Sequence, residues 1–476
     1  MKKETRQLPL KEILFGGSSF YGHALAIAMP IIIQNTLTNI VGLLDNVMVG
    51  QIGTVPMSAV TIVNQLMLVF YVCVWGAGAG AGIFGAQYFG KGDLEGFRQT
   101  LRFKLVMLVL FAVLMAGVFY LAGGSIIRLY LPEGTDPAAA EETCLLAEQY
   151  LKIMLAGFLP FAVTQAVSSA LREAACTGLP MTAGICAMTV NFVFNALLIF
   201  GLFGFPRLGV AGAAIATVLS RFAELAIVLA GARAMETPRR VLKGTLASFR
   251  VPARLTASIM RKAFPLMANE FLWSSSEAAL LSGYARRGIM VIAAVNIAST
   301  VMQVFNQISL SFGNAASIIV GHELGAERFE DAKHASYRMM FMSVALCTAA
   351  GALLFLIAPV IPSFYNTEEE VRHTACLLIR VMAVWLPGLA LANVAYFTVR
   401  SGGKVLITFL FDSFYAWTVK VPVLFLLMAF TGLSVVPVYF IIMGLEFVKG
   451  LIGLMIVRRG RWMRNLVGGA AEQGPA

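Results

Sequence analysis

The stretch GAQYFGKGDLEGFR, Gly85 to Arg98, returns 235 positions later as VGHELGAERFEDAK, Val320 to Lys333. Gly90 falls on Gly325 and Glu95 on Glu330. The same register runs back towards the N-terminus of each copy. Pro30 falls on Pro265, Gly53 on Gly288, Gly78 on Gly313, and SAVTI (58–62) on AAVNI (293–297). Matches between apolar residues carry little weight in a hydrophobic chain. The aligned Pro, Gly and polar residues carry more, so the chain reads as two copies of one design.

Those copies are built for lipid. Of 476 residues, 59% are hydrophobic and 13% charged, against about 25% charged in soluble domains. The mean hydropathy is +0.80. Apolar runs of about twenty residues, enough to cross a hydrocarbon core of about 30 Å as helix, recur from end to end. The expectation is twelve spans, near 18–45, 55–86, 99–122, 145–170, 181–203, 208–232, 260–284, 289–320, 337–360, 374–398, 405–430 and 435–457. No polar block is long enough for a separate soluble domain. The N-terminal charges resemble a signal peptide, but a full-length apolar run follows them, so it is read as the first span.

The net charge of +11 reflects topology rather than nucleic-acid binding. Lys and Arg gather at the N-terminus, in 91–104, in 233–262 and at 458–464. The alternate loops are poor in them and hold acidic runs such as NTEEE. The bias places both termini in the cytoplasm, which an even number of spans requires. An N-terminal six-helix bundle (1–232), a basic linker (233–259) and a C-terminal bundle with its tail (260–476) follow. Six is even, so the halves are parallel repeats related by a pseudo-two-fold along the membrane normal. Transporters of that design bind substrate between the halves.

Several chemistries find no support. The six cysteines and four histidines form no metal spacing. WGAGAGAGIFG contains a formal G-x-G-x-x-G, but it lies inside an apolar span with no strand before it. Close helix packing explains its small residues better. There is no phosphate-binding loop of the ATPase type, so an ion gradient is the expected drive, with no cofactor. No catalytic constellation appears, and an enzyme is not expected.

Ionisable groups inside spans are costly and mark function by default. Asp45, in GLLDNVMVG, has no basic residue within two helical turns. Gln34, Asn35 and, in NFVFNALL, Asn191 and Asn195 could complete an oxygen site around it for H⁺ or Na⁺. Glu270 follows Pro265, where a proline loosens the helix. Glu277 lies two turns further on. Arg221/Glu224 and Glu446/Lys449 have the spacing of self-neutralised pairs. Lys420, two turns from Asp412, is the expected counter-charge for it.

Joined together, LLDNVMVGQIGTVPMSAV, GAQYFGKGDLEGFRQTLR, NALLIFGLFGFPRLGVAGAAIATVLSR, PLMANEFLWSSSE, RSGGKVLITFLFDSFYAWTVKVP and EFVKGLIG resemble the multidrug and toxic compound extrusion (MATE) family, in a bacterial subgroup. The resemblance covers nearly the whole chain. It implies an all-α integral membrane fold of twelve helices in two six-helix bundles, with a V-shaped central cavity. It also implies export of lipophilic cations in exchange for H⁺ or Na⁺, from the bacterial inner (plasma) membrane, by a monomer among membrane lipid. By resemblance, Asp45 and Asn191 match a cation site, Asn195 stands where some members have Asp, and Glu270 matches a seventh-helix acid. LPGLALANVAYF lacks the tenth-helix acid of some members, and Asp412 is the candidate substitute. Lys404 stands where the subgroup pattern has an acid.

The expected coupling residues are therefore Asp45, Asn191, Asn195, Glu270 and Asp412, with Na⁺ or H⁺ at Asp45, Asn191 and Asn195. The expected substrate contacts are Asp45, Gln34, Asn35, Glu270, Trp273, Glu277 and Trp417. The alternative is a lipid-linked precursor flippase of the same superfamily, which would want a basic rather than an acidic cavity.

Overall fold

The computed structural model describes residues 18–131, 136–365 and 367–468, and all regular structure in them is helical. The long helices are α1 (Ser18–Gly50), α2 (Thr54–Lys91), α3 (Leu94–Leu129), α4 (Pro137–Leu155), α5 (Phe158–Glu173), α6 (Gly178–Phe200) and α7 (Val210–Ala234). A short α8 (Glu236–Leu242) follows in the basic segment. Then come α9 (Ala253–Ala285), α10 (Ile289–Gly325), α11 (Phe329–Ile357), α12 (Glu369–Ser401), α13 (Val405–Phe430) and α14 (Val435–Arg459). α13 contains two π-helical segments, Leu410–Phe414 and Ala416–Lys420.

Among the described residues ten helices are long and apolar enough to cross a membrane. The pair α4 and α5 passes the same test only when taken together, with a bend of 47° at the break after Leu155. The twelfth expected span is α9, which has the length but not the hydropathy. Glu270, Glu277 and the serines between them dilute its apolar face. Local rules set the ends. Asp136 caps α4 by accepting from the Ala139 N–H at 3.2 Å, with Pro137 at the first helical position. Gly201, with φ 72°, ends α6.

The copy read from the sequence is visible in the backbone. Gly53 has φ 145° and its counterpart Gly288 has φ 109°. Gly92 has φ 80°, and Glu327, 235 positions later, has φ 61°. A glutamate in the left-handed region is strained, by about 1–2 kcal/mol. The second copy thus keeps the turn after its second helix even where the glycine is gone.

The helices form two compact units that interleave along the chain. One holds residues 33–85 and 94–267; the other holds the described residues of 1–32, 86–93 and 268–476.

In the first unit, Lys104 of α3 and Glu173 of α5 form an ion pair almost sealed from solvent. Lys104 also donates to Ser169 Oγ at 3.2 Å. A Cβ on Gly85 would lie 2.1 Å from Glu173 Oε2, and one on Gly80 would lie 2.5 Å from Ala263 Cα. The glycine run of α2 therefore makes room for a carboxylate on one side and for α9 on another. It is a packing surface, as its apolar setting implied. Arg102 holds the basic segment to α3, donating to the Thr245 and Gly244 carbonyls at 2.8 and 2.9 Å.

In the second unit the end of α2 crosses the end of α10. A Cβ on Gly90 would stand 2.1 Å from the His322 carbonyl oxygen, and a Cβ on Gly325 would stand 1.9 Å from that of Gln87. Gln87 and His322 are themselves 235 positions apart, so each copy supplies the same glycine and the same carbonyl. Only glycine permits this approach. Gln87, with no exposed surface, anchors the crossing. It donates to the Ser401 and Arg464 carbonyls at 2.9 and 3.1 Å and accepts from the Leu466 N–H at 2.7 Å.

Candidate functional site

Asp45 lies inside α1, five residues before its last, so it is part of the span rather than a cap at the helix end. Asn195 of α6 donates from Nδ2 to Asp45 Oδ1 at 2.6 Å. Asn191 lies one turn back on the same face, with its amide turned to the acid. Its nitrogen donates to Asp45 Oδ1 at 2.9 Å and Oδ2 at 3.2 Å, and its oxygen lies 3.3 Å from Thr217 Oγ1. Two amides donating to one carboxylate suit its anionic form.

Thr217 donates to the Ala213 carbonyl at 3.0 Å, and Tyr150 hydrogen-bonds to Thr217. Neither residue is singled out in the sequence, since a Thr and a Tyr in apolar helices carry no signal alone. Asn191 and Asn195 are buried, at 5% and 1% exposure. The structure thus brings Asp45, Asn191 and Asn195 together. Gln34 stands apart from that triad, receiving a long contact of 3.5 Å from Arg172. Asn35 has its carbonyl occupied by the Asn39 side chain at 3.1 Å. Arg221 pairs with Glu224 at 3.4 Å, as the spacing suggests, and rests over the Phe161 ring. It also lies close enough to Asp45 to attract it. Tertiary packing therefore supplies a basic neighbour that the local sequence lacks.

In the second unit the hub is Asn269, 1% exposed and next to Glu270. It donates to Asp412 Oδ2 at 3.0 Å and to the Tyr396 hydroxyl at 3.3 Å. Its Oδ1 and its carbonyl each accept from Ser413 Oγ at 2.7 Å. Asn269 was legible only as a polar residue beside an acid in MANEF. The other oxygen of Asp412 accepts from Lys449 of α14 at 2.7 Å. The expected counter-charge, Lys420, is elsewhere. It pairs with Glu446 at 2.7 Å and Glu277 at 3.4 Å. Eight residues of helix separate Asp412 from Lys420 by about 12 Å of rise, so each pairs with a neighbouring helix instead.

Glu270 has an acid and a base as neighbours, Asp412 and Arg400. Trp417 donates from its indole, at 2.9 Å, to the carbonyl of Leu272, the residue before Trp273. Both indoles are partly exposed, at 39% and 37%. Lys404 lies outside the spans, between α12 and α13, where burial first and Arg464 second hold its ammonium below the ordinary lysine range.

The chain as a whole is similar to known proteins. The family model described as MatE matches residues 30–197 and 265–426, one match in each copy. "Probable multidrug resistance protein YoeA" of Bacillus subtilis is 26% identical over 92% of this chain and 93% of its own length. "Probable multidrug resistance protein NorM" of Thermotoga maritima is 23% identical over 93% of each. The bent form of the Vibrio cholerae MATE transporter VcmN superposes with a TM-score of 0.83 at 18% identity, over 93% of this chain and 97% of that one. The all-α fold is therefore the MATE fold, and the chain belongs to the MatE, or multidrug and toxic compound extrusion, family.

Proposed function

We propose that this chain is a secondary antiporter of the plasma membrane that expels lipophilic cations in exchange for H⁺ or Na⁺ by alternating access. The names of its relatives support multidrug efflux as the broad function. The observation that carries the finer reading is the Asp45 triad. One carboxylate inside a span is held by two amides, each placed to donate to it. An acid so placed rests as an anion and is a site at which a cation can be exchanged. Cargo and coupling ion then compete for one negative charge, and each weakens the other by the same factor.

In the other unit the exchangeable acid is Glu270. Asp412 has one oxygen on Lys449 and the other on Asn269, which favours its standing as a fixed anion. The same reading takes the halves 1–232 and 260–476 as the moving bundles and places both termini in the cytoplasm. It requires no cofactor and a single copy of the chain. Purified protein in liposomes, loaded with a fluorescent cation and given pH and Na⁺ gradients separately, tests it. Export driven by one gradient and lost in Asp45→Asn is the expected result. Export independent of both gradients refutes the antiport mechanism.

A further inference from the structure

The second unit contains a ladder of alternating charge on three helices. It runs Glu277 of α9, Lys420 of α13, Glu446 of α14, Lys449 of α14 and Asp412 of α13. The successive gaps are 3.4, 2.7, 3.5 and 2.7 Å. Three acids meet two bases, so the ladder has one negative charge in surplus. Its three inner members are buried, the side chains of Lys420, Glu446 and Lys449 being 6%, 9% and 8% exposed, and Asp412 at the far end is 15% exposed. Glu277, at one end, is 46% exposed. Lys420 holds Glu446 at the shorter distance and Glu277 at the longer, so the surplus charge falls at the accessible end.

We propose that Glu277 is the acid of a binding site for one monovalent organic cation, and that Lys420 is the positioning residue that sets its strength. This rests on the transport reading above. A cation at Glu277 makes the sixth member and leaves the ladder neutral, three acids against three positive charges. The surroundings fit an organic cation better than a metal ion. Trp273 lies one turn before Glu277 on the same face of α9, and Trp417 lies three residues before Lys420 on α13. The bond from the Trp417 indole to the Leu272 carbonyl ties α13 to α9 at the residue before Trp273. Aromatic faces attract cations and shed water around an apolar body. A single half-exposed carboxylate gives a divalent metal ion too few oxygens.

The test is fluorescence polarisation of ethidium, a monovalent aromatic cation, on full-length protein in detergent. Glu277→Gln is expected to weaken binding about tenfold, and Trp273→Ala to weaken it less. Lys420→Met leaves two acids uncompensated and is expected to tighten binding. That variant exposes the fold to a buried unpaired Glu446, so Lys420→Met with Glu446→Gln is the companion. The companion keeps one surplus charge at Glu277 and is expected to bind at least as well as wild type. Unchanged binding in Glu277→Gln, or lost binding in the folded companion, overturns the proposal. If wild-type protein neither binds nor exports the dye, the transport reading itself fails, and this site with it.

Discussion

Asn195 and Asp45, 150 residues apart in sequence, meet through a hydrogen bond of 2.6 Å between α6 and α1. The bond survives replacement of the acid by its amide, because an amide oxygen still accepts from Asn195. Asp45→Asn is therefore expected to fold with a melting free energy within about 1 kcal/mol of wild type. It is also expected to lose at least about tenfold in gradient-driven dye export. Thermal melting and liposome efflux on one preparation check both. Full export in Asp45→Asn would remove this acid from the coupling machinery.

Lys449 and Asp412 form a pair of the opposite kind. Both are largely buried, and Lys449 also touches Glu446 at 3.5 Å. Removing one partner of a buried pair leaves an uncompensated charge, at a cost of about 3–5 kcal/mol. Lys449→Met is expected to show that loss in thermal melting. The double variant Lys449→Met with Asp412→Asn is expected to regain most of it. Equal destabilisation in both would show that the pair matters for more than charge.

The crossing of α2 and α10 makes a sharp comparison between glycines of one helix. Gly90→Ala drives a Cβ against the His322 carbonyl at 2.1 Å, where backbone must give way. A loss of about 1–3 kcal/mol is expected, with poor expression. Gly78→Ala, where nothing lies within 4 Å, is expected to be neutral or stabilising by a few tenths of a kcal/mol to about 1 kcal/mol. Thermal melting of the two variants side by side decides it.

Gln87 satisfies three backbone groups, two of them in the segment that follows α14. Gln87→Leu keeps the volume and removes all three bonds, leaving buried groups that cost about 1–3 kcal/mol each. The segment around Trp462, which is 1% exposed, is expected to loosen first. Faster proteolysis near residues 462–468, and a red shift of Trp462 emission, would show it.

The sequence carried much of this because the membrane allows few solutions. Apolar length fixed most spans, and the aligned glycines and prolines revealed the copy. Asp45 with Asn191 and Asn195 was legible because an acid and two amides in apolar helices have little reason to be there but each other. Legibility failed where pairing crosses between helices. Lys420 turns to Glu446, and Lys449 takes Asp412, and no spacing along one helix announces either pair. Thr217, Tyr150 and Asn269 were missed because polar residues that complete a network look like any other until their partners are placed. Glu270 and Glu277 were legible in the sequence as acids inside a span, and with the serines between them they leave α9 short of the hydropathy of the other spans.

The crossing of Gly90 with His322 and of Gly325 with Gln87 has the form of an isologous interface. Position i of one copy meets position j of the other, and j meets i, as at the axis of a two-fold homodimer. A face of that kind is complementary to itself. A change at either glycine in a true dimer would strike the contact twice, and both copies would have to change together. Fusing the copies into one chain frees each half to vary alone. That freedom is what lets one half keep its acid at Asp45 while the other builds a five-residue charge ladder on the same frame.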